Sequence, residues 1–343
     1  MISKKEVTIY ELAKALHLSP STVSRGLNDH PYIKKDTKKK ILVAAHEMGY
    51  QRNKFASNLR QNRTNTLGVI VPKLNSYFMA TAIAGIEKIT NQYGYDLIIS
   101  QSQESGKKEI SSISTLYNSR VDGLMVSLAY DSKNTDPFKV LFRKDIPVVF
   151  FDRVFECPGC ISIVIDNYKA GYEATSHLIA QGCKRIVHLG GNLLRNVYAD
   201  RFRGYKQALV DFGIEFEQNL VFIGDLNEQS GTETAQKILR MEKRPDGIFT
   251  ANDTSAVATM CELKQSGIKI PEDIAVVGFN NEPISRVIQP NLTTIHYPAM
   301  EVGEIAASTL INKLNNQKSS SLTTIILEHS LIIRQSSLRN KMS

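Results

Sequence analysis

The chain has 343 residues, 42% of them apolar, which is enough for two or three domains with real cores and excludes a disordered chain. Its net charge of +8 is confined to one end: residues 1–65 hold 13 Lys/Arg against 5 Asp/Glu, and the remainder holds 29 of each. A small basic module on a neutral body points to polyanion binding by the module and excludes a uniformly basic surface. Met1–Thr8 is polar, unlike a signal peptide, and no stretch approaches the roughly 20 apolar residues that span a bilayer. A cytoplasmic protein with no membrane partner is expected.

Thr8-Ile9-Tyr10-Glu11 reads as a capping box, with the Thr8 hydroxyl and the Glu11 carboxylate each taking an amide of the other. Ile9, Leu12, Ala13 and Leu16 then form one apolar helical face. After a break at His17-Leu18, Ser19 caps a second helix with Pro20 at its first position, where the missing N–H costs nothing. Val23 and Leu27 turn inward, and Ser21, Thr22, Ser24, Arg25 and Asn28 stay polar. A third helix is expected over about Lys35–Met48, with Ile41, Ala44, Ala45 and Met48 inward and Gly49 ending it. Two short helices across a tight turn, followed by a third, make a helix-turn-helix pattern. Small polar residues at the start of the second helix suit the major groove, and Arg25 can donate to guanine or phosphate. The basic run Lys34, Lys35, Lys38, Lys39 and Lys40 suits phosphate contact.

From Thr66 the pattern alternates. Strands are expected at Leu67–Val71, Tyr95–Ser100, Gly123–Ser127 and Val148–Phe151, with helices at Ala80–Tyr93 and Ile110–Ser119. A second set follows, with strands at Arg185–Leu189, Leu220–Phe222, Gly247–Thr250 and Ile274–Val277. Its helices fall at Tyr168–Gln181, Asp200–Phe212, about Gly231–Met241 and Asp253–Ser266. This is the α/β pattern of two doubly wound lobes in tandem, which places a ligand cleft at the strand ends.

Cys157-Pro158-Gly159-Cys160 is a CxxC pair, a pattern of redox or zinc chemistry, but no second CxxC or HxxxH follows to complete a zinc site. A surface loop is the simpler reading, and no metal or cofactor is expected. Phosphate-binding, dinucleotide, nucleophile-elbow and zinc-protease motifs are absent, and the seven histidines form no cluster, so no catalytic residue is assigned and an enzyme is not expected. A ligand receptor without DNA function is the other alternative; the N-terminal helix-turn-helix pattern and the absence of a signal peptide argue against it.

Three segments carry a resemblance: Val7–Ala13, Leu18–Arg25 and Gly49–Leu59 are similar, in order and spacing, to the headpiece of the lactose-repressor (LacI/GalR) family. Gly68-Val69-Ile70-Val71-Pro72, Gly190-Gly191, Arg201-Phe202-Arg203-Gly204-Tyr205, Ala251-Asn252-Asp253 and Val277–Asn281 extend it to about Ser337. Lys34 departs from the family's small cap, which should slightly weaken the start of the third helix. The resemblance implies a transcription regulator, most simply a repressor, that binds a near-palindromic operator as a dimer. A small-molecule effector, a sugar or a derivative, would occupy a periplasmic-binding-protein-like body. It implies a headpiece at 1–52, a hinge at 53–65 and a ligand-binding and dimerisation domain at 66–340. The first lobe would span about 66–164 and 296–324, the second about 165–295 and 325–338.

The DNA-contacting set is then Thr8, Ser19, Pro20, Ser21, Thr22, Ser24, Arg25 and Asn28 in the headpiece, with Asn53, Ala56, Ser57, Leu59 and Arg60 in the hinge. Eight hinge residues are too few for a stable helix in water. In the family the hinge folds when two copies pair in the minor groove, which makes Ala56 the close contact and Leu59 the wedge in a central base step. By position, Tyr77 and Phe78 would stack on the effector, Asp152 would face the cleft and Arg201 would clamp a ligand oxygen. Asn252 and Asn280 would bond hydroxyls. Asn280 stands where the family often has aspartate, which favours an acidic or phosphorylated ligand over a neutral sugar. Asp253 reads as a helix N-cap. The helix Ala299–Leu314, with part of Ala80–Tyr93, would supply the dimer face, and Ile325–Arg334 would be a last strand crossing back to the second lobe. The tail Ser336–Ser343 has no leucine heptads, so the dimer is the expected assembly. Effector-driven DNA release and corepression both fit the sequence.

Overall fold

The computed structural model describes residues 7–50, 63–155, 157, 160–315 and 323–339. Two compact units divide the chain at residue 64.

The N-terminal unit holds α1 (Ile9–Ala15), α2 (Pro20–Leu27) and α3 (Lys35–Glu47). The capping box forms as expected: the Thr8 hydroxyl accepts from the Glu11 amide at 3.3 Å, and the Glu11 carboxylate accepts from the Thr8 amide at 2.8 Å. Ser19 caps α2 by accepting from the Thr22 amide at 3.1 Å. Lys34 gives α3 no side-chain cap, yet the helix forms, because Ile41 and Ala45 are buried against Leu12, Ala13 and Val23. Gly49, at φ +67°, turns the chain out of α3.

The larger unit contains two six-stranded sheets. The first joins β1 (Thr66–Val71), β2 (Asp96–Gln101), β3 (Gly123–Val126), β4 (Val148–Phe151), β5 (Ile161–Ile165) and β11 (Thr323–Leu327), all parallel, in the order β11-β5-β4-β3-β1-β2. The second joins β6 (Ile186–Gly190), β7 (Val221–Ile223), β8 (Gly247–Thr250), β9 (Ala275–Phe279), β10 (Thr293–His296) and β12 (Ser330–Ile332), in the order β12-β10-β9-β8-β6-β7. Only β12 runs antiparallel, against β10. β3, β4, β6, β8 and β9 are buried along their whole length. Continuous apolar strands of this kind belong to sheets covered on both faces.

The covering helices are α4 (Tyr77–Gln92), α5 (Gly106–Asn118), α6 (Asn167–Ala180), α7 (Asn196–Asp211), α8 (Glu228–Leu239), α9 (Asp253–Gln265) and α10 (Ala299–Asn315). Several start a few residues before the expected positions. Their first turns are polar and set by caps at Ser105 and Asn227, so the first apolar residue of the pattern comes later. Glycines let helix pairs close up. A Cβ at Gly204 of α7 would strike the Tyr168 carbonyl of α6, and one at Gly303 of α10 would strike the Ala82 carbonyl of α4.

The strand expected over Ile325–Arg334 is two strands in different sheets. β11 pairs with β5 in the first lobe, and β12 pairs with β10 in the second, so the crossing falls at Glu328-His329. An apolar run on each side of that dipeptide reads as one strand, and only the pairing separates them. β5 and β10 carry no expected strand; each is four or five residues long and defined by partners remote in sequence. Cys157 and Cys160 are buried beside Val148 and Phe150, not in a surface loop, and are joined as a disulfide.

His188 of β6 is fully buried among the rings of Phe202, Tyr205 and Phe249, at centroid separations of 5.8, 5.1 and 4.9 Å. Burial pushes its imidazole down to about 3. The unfolded chain takes up this proton near pH 6.5 and the folded chain does not, so stability is lost as pH falls from 6.5 toward 3. At pH 5 the loss from this group is about 2 kcal/mol. His188→Phe is expected to remove that part of the acid sensitivity, read from urea midpoints at pH 5 and pH 8. Identical pH dependence in variant and parent would show that the imidazole is protonated inside the fold.

Candidate effector pocket and nucleic-acid interface

The N-terminal unit presents the start of α2. Ser19, Pro20 and Ser21 are exposed there, Arg25 and Asn28 are exposed further along, and Thr22 and Ser24 are half-buried. Small hydroxyls at a helix start suit phosphate and base edges, although Pro20 has no N–H to give, the Thr22 amide is bonded to Ser19, and the Ser19 hydroxyl bonds those of Ser21 and Thr22 at 2.8 Å. The Asn28 amide is committed to the Ser24 carbonyl at 2.8 Å, so its side chain is not fully available to a partner. Thr8 is exposed but spent on its capping box. Lys34, Lys35, Lys39 and Lys40 are exposed, while Lys38 is tied to Asp29 at 2.6 Å. Asn53, Ala56, Ser57, Leu59 and Arg60 lie outside the described residues.

In the larger unit, β1 lies between β2 and β3, and β6 between β7 and β8, so strand order reverses in both sheets. Ligands of open α/β sheets bind outside the carboxyl ends of strands at such points. A cavity of about 320 Å³ opens there, lined by Pro72 after β1, Asp152 after β4, Asn252 after β8 and Asn280 after β9. Tyr77 and Phe78, from the first turn of α4, and Arg201, from α7, complete the expected set, so the fold brings all six residues, from both lobes, to one cavity.

Their environments differ. Tyr77 is half exposed, whereas Phe78 is buried against Tyr297 at a ring separation of 4.5 Å. Arg201 is buried and lies over the Phe279 ring at 3.5 Å. Its Nε donates to Asn167 at 2.9 Å and one terminal nitrogen to the Ala251 carbonyl at 2.9 Å, which leaves the second terminal nitrogen unused by these bonds. Asp152 is buried, accepts a 3.4 Å bond from the Ser127 hydroxyl and has the Arg153 Nε 4.0 Å from its carboxylate, and burial raises its carboxyl above the ordinary range. Asp152 and Asn280 both hold positive φ, at 58° and 103°, a region that Asp and Asn enter more readily than other non-glycine residues.

Asn252, not Asp253, is the cap of α9. Its Oδ1 accepts from the Ser255 amide at 3.1 Å and its amide donates to the Leu226 carbonyl at 2.7 Å, so both ends are occupied. Asp253 is fully buried one residue on. It takes the Thr294 hydroxyl at 2.6 Å and the Glu282 amide at 2.7 Å, and burial raises its carboxyl well above the ordinary range. It positions the loop that carries Asn280.

Several lining residues were not expected: Glu104, Tyr130, Arg153, Tyr198, Asp225 and Glu282. Arg153 binds Glu104 at 2.7 Å and the Tyr198 hydroxyl at 2.9 Å, and sits over Tyr130 at 4.4 Å. Its adjacency to Asp152 at a strand end is the signal that could have found it; Glu104 and Tyr130 have none. The lining holds five carboxylates (Glu104, Asp152, Asp225, Glu228 and Glu282) and three cations (Lys73, Arg153 and Arg201). By formal charge the lining is acid-rich, whereas Asn280 is expected to favour an acidic or phosphorylated ligand; burial raises the carboxyls of both Asp152 and Glu282. The Asn280 amide itself is turned to Glu282, at 3.3 Å. Among the described residues no group of three His, Cys, Asp or Glu side chains is placed to hold a metal.

Comparison with known families places both units. Residues 8–53 match the model of bacterial regulatory proteins of the lacI family, and residues 64–335 match that of periplasmic binding proteins and the sugar-binding domain of the LacI family. The chain belongs to the LacI family. It is 30% identical to catabolite control protein A of Priestia megaterium over 96% of this chain and 99% of that protein. It is 32% identical to the NTD biosynthesis operon regulator NtdR of Bacillus subtilis (strain 168), over 96% and 99%. The lac repressor dimer bound to operator and the anti-inducer ONPF shares the fold, with a TM-score of 0.86 at 24% identity, covering 98% of this chain and 100% of that one. The protein is therefore a DNA-binding transcription regulator of the LacI family, and the relatives are regulators, not enzymes.

Proposed function

We propose that this LacI-family protein acts in the cytoplasm as a homodimeric repressor of a near-palindromic operator. Its DNA affinity would be set by a polyhydroxylated, non-anionic effector, a sugar or sugar derivative. The observation that carries the reading is the cavity at the strand ends of both sheets, lined by all six expected residues, in a chain that also bears a helix-turn-helix headpiece. Acceptor-rich walls favour a ligand that donates hydrogen bonds. Exposed apolar side chains in the first lobe, Leu74, Tyr93, Ile98 and Ile99, support a dimer face. Among the described residues no helix is long and apolar enough to cross a membrane.

Selection of bound sequences from a random DNA pool by the full-length protein tests the first half. A near-palindrome with a flexible central step is expected, with affinity falling steeply as salt rises. Leu59→Ala is expected to weaken that operator by about tenfold or more while leaving effector affinity unchanged. Equal operator affinity would remove Leu59 from the wedge role. Melting curves with matched neutral sugars, amino sugars and sugar phosphates test the second half. Stabilisation is expected from neutral or amino compounds and none from phosphates; the reverse order would overturn the charge argument.

A further inference from the structure

The two lobes meet beside the cavity through polar contacts that no chain crossing makes. We propose that these contacts form a clasp that holds the two walls of the effector cavity together in the effector-free protein, with Asn196 and Arg153 as its positioning residues. The inference rests on the reading of this cavity as the effector site. The chain passes between the lobes three times: at Asp166 between β5 and α6, at Tyr297-Pro298 between β10 and α10, and at Glu328-His329 between β11 and β12. The clasp belongs to none of these crossings, so its bonds can break with each lobe intact.

In the second lobe the clasp is the first turn of α7 with Arg195 before it; in the first lobe it is the pair of turns that follow β3 and β4. The Val154 amide donates to Asn196 Oδ1 at 3.0 Å, and the Asn196 side-chain amide donates to the Asp152 carbonyl at 3.1 Å. One side chain therefore satisfies two backbone groups of the other lobe. Arg153 donates to the Tyr198 hydroxyl at 2.9 Å. Arg195 donates to the Ser132 carbonyl at 2.5 Å, and its guanidinium lies 5.1 Å from the Phe155 ring. Tyr130 and Tyr198 meet edge to face, with ring centroids 5.9 Å apart.

The first-lobe side is anchored within its own lobe. Glu109 accepts from the Ala129 amide at 2.8 Å and from the Ser132 hydroxyl at 2.6 Å. Glu104 accepts from the Tyr130 amide at 3.2 Å and from Arg153 at 2.7 Å. Two carboxylates, one before α5 and one in its first turn, thus fix the turn after β3 and present it to α7. Arg153 ties the parts together. One terminal nitrogen bonds Glu104 and the Leu128 carbonyl, and the other crosses to Tyr198.

Tyr130, Arg153 and Tyr198 also line the cavity. A ligand there meets the same side chains that hold the lobes together, so ligand binding and clasp closure are linked through shared groups. Asn196 is not part of the lining, which separates the two roles: it acts on the clasp alone. A neutral hydrogen bond is worth roughly a fivefold change in an equilibrium, so loss of the two Asn196 bonds is expected to raise the open population about tenfold or more.

The test is amide exchange, read by mass spectrometry on the full-length protein without effector or operator. In the parent, the segments 128–132 and 192–198 are expected to be protected. Asn196→Ala is expected to speed exchange about tenfold in both, with β8 unchanged. The amides of Leu128, Ala129, Tyr130 and Ser132 all bond within the first lobe, so none of them loses a partner directly. Tyr198→Phe keeps the ring and removes only the hydroxyl, and the same pattern is expected at about fivefold. A change confined to Val154 would overturn the proposal, because Asn196 would then be a local bond. A parent whose segment 128–132 exchanges as fast as a free peptide would overturn it too. Should Asn196→Ala also speed β8, the milder Tyr198→Phe decides. A sugar panel without a stabilising member would remove the effector reading and leave this measurement standing, whereas an unprotected clasp would remove this proposal alone.

Discussion

Gly303→Ala is expected to lower the unfolding free energy by about 3 kcal/mol, seen as a fall in the urea midpoint with little change in slope. The added Cβ would land on the Ala82 carbonyl oxygen, with the Ile86 amide nitrogen 3.0 Å away. Both obstacles are backbone atoms of α4, so no side-chain rotation relieves them and the two helices must separate. Gly85, on the facing helix, meets the Met300 carbonyl in the same way, so the crossing is tight from both sides. Separation would expose Ala82, Ile86, Val302 and Ala306, all buried in the first-lobe core. Gly94→Ala is the control. It sits at φ +72° with open space around it, so only backbone strain of about 1 kcal/mol applies. A cost at Gly303 no larger than at Gly94 would mean that the α4–α10 contact gives way freely.

Arg201→Met is expected to cost about 3 kcal/mol of stability and to abolish the effector-dependent change in operator binding. Methionine fills much of the volume but leaves the Asn167 side-chain oxygen and the Ala251 carbonyl without their donor, and removes the cation from the Phe279 face. Asp152 also loses a neighbouring positive charge, so its carboxyl rises further. Arg201→Lys keeps the charge but cannot supply two directed bonds from one plane, so it should recover part of the stability and little of the response. Melting curves and an operator-binding assay with and without effector read the two effects separately. A fully responsive Arg201→Met protein would place the residue outside the effector site and leave it a structural part of the wall.

Much of the headpiece was legible because its signals are local. The capping box at Thr8 and Glu11, the cap at Ser19 and the glycine at 49 each act within four residues of themselves, so their geometry follows from the chain alone. The strand ends were legible for a related reason: buried parallel strands are short apolar runs, and the residue after each one faces the crevice. That rule brought Asp152, Asn252 and Asn280 to one cavity. It could not assign their bonds. Asn252 turned out to cap its own helix through Ser255 and to bond Leu226, and Asp253 to be a buried anchor of the 279–282 loop; the Leu226 and Glu282 bonds span 26 and 29 residues, beyond any local pattern.

The sequence by itself therefore determined the headpiece, the alternation of strands and helices, the place of the cleft and the segregation of charge, all of which depend on periodicity, caps and composition. Tertiary structure alone decided the split of Ile325–Arg334 between two sheets, the strands β5 and β10, the recruitment of Glu104, Tyr130 and Arg153 to the cavity wall, and its excess of carboxylates. The physical reason is the same in each case. A short strand or a buried ion pair is stable only when a partner remote in the chain meets it, and no local pattern of residues encodes which partner that will be.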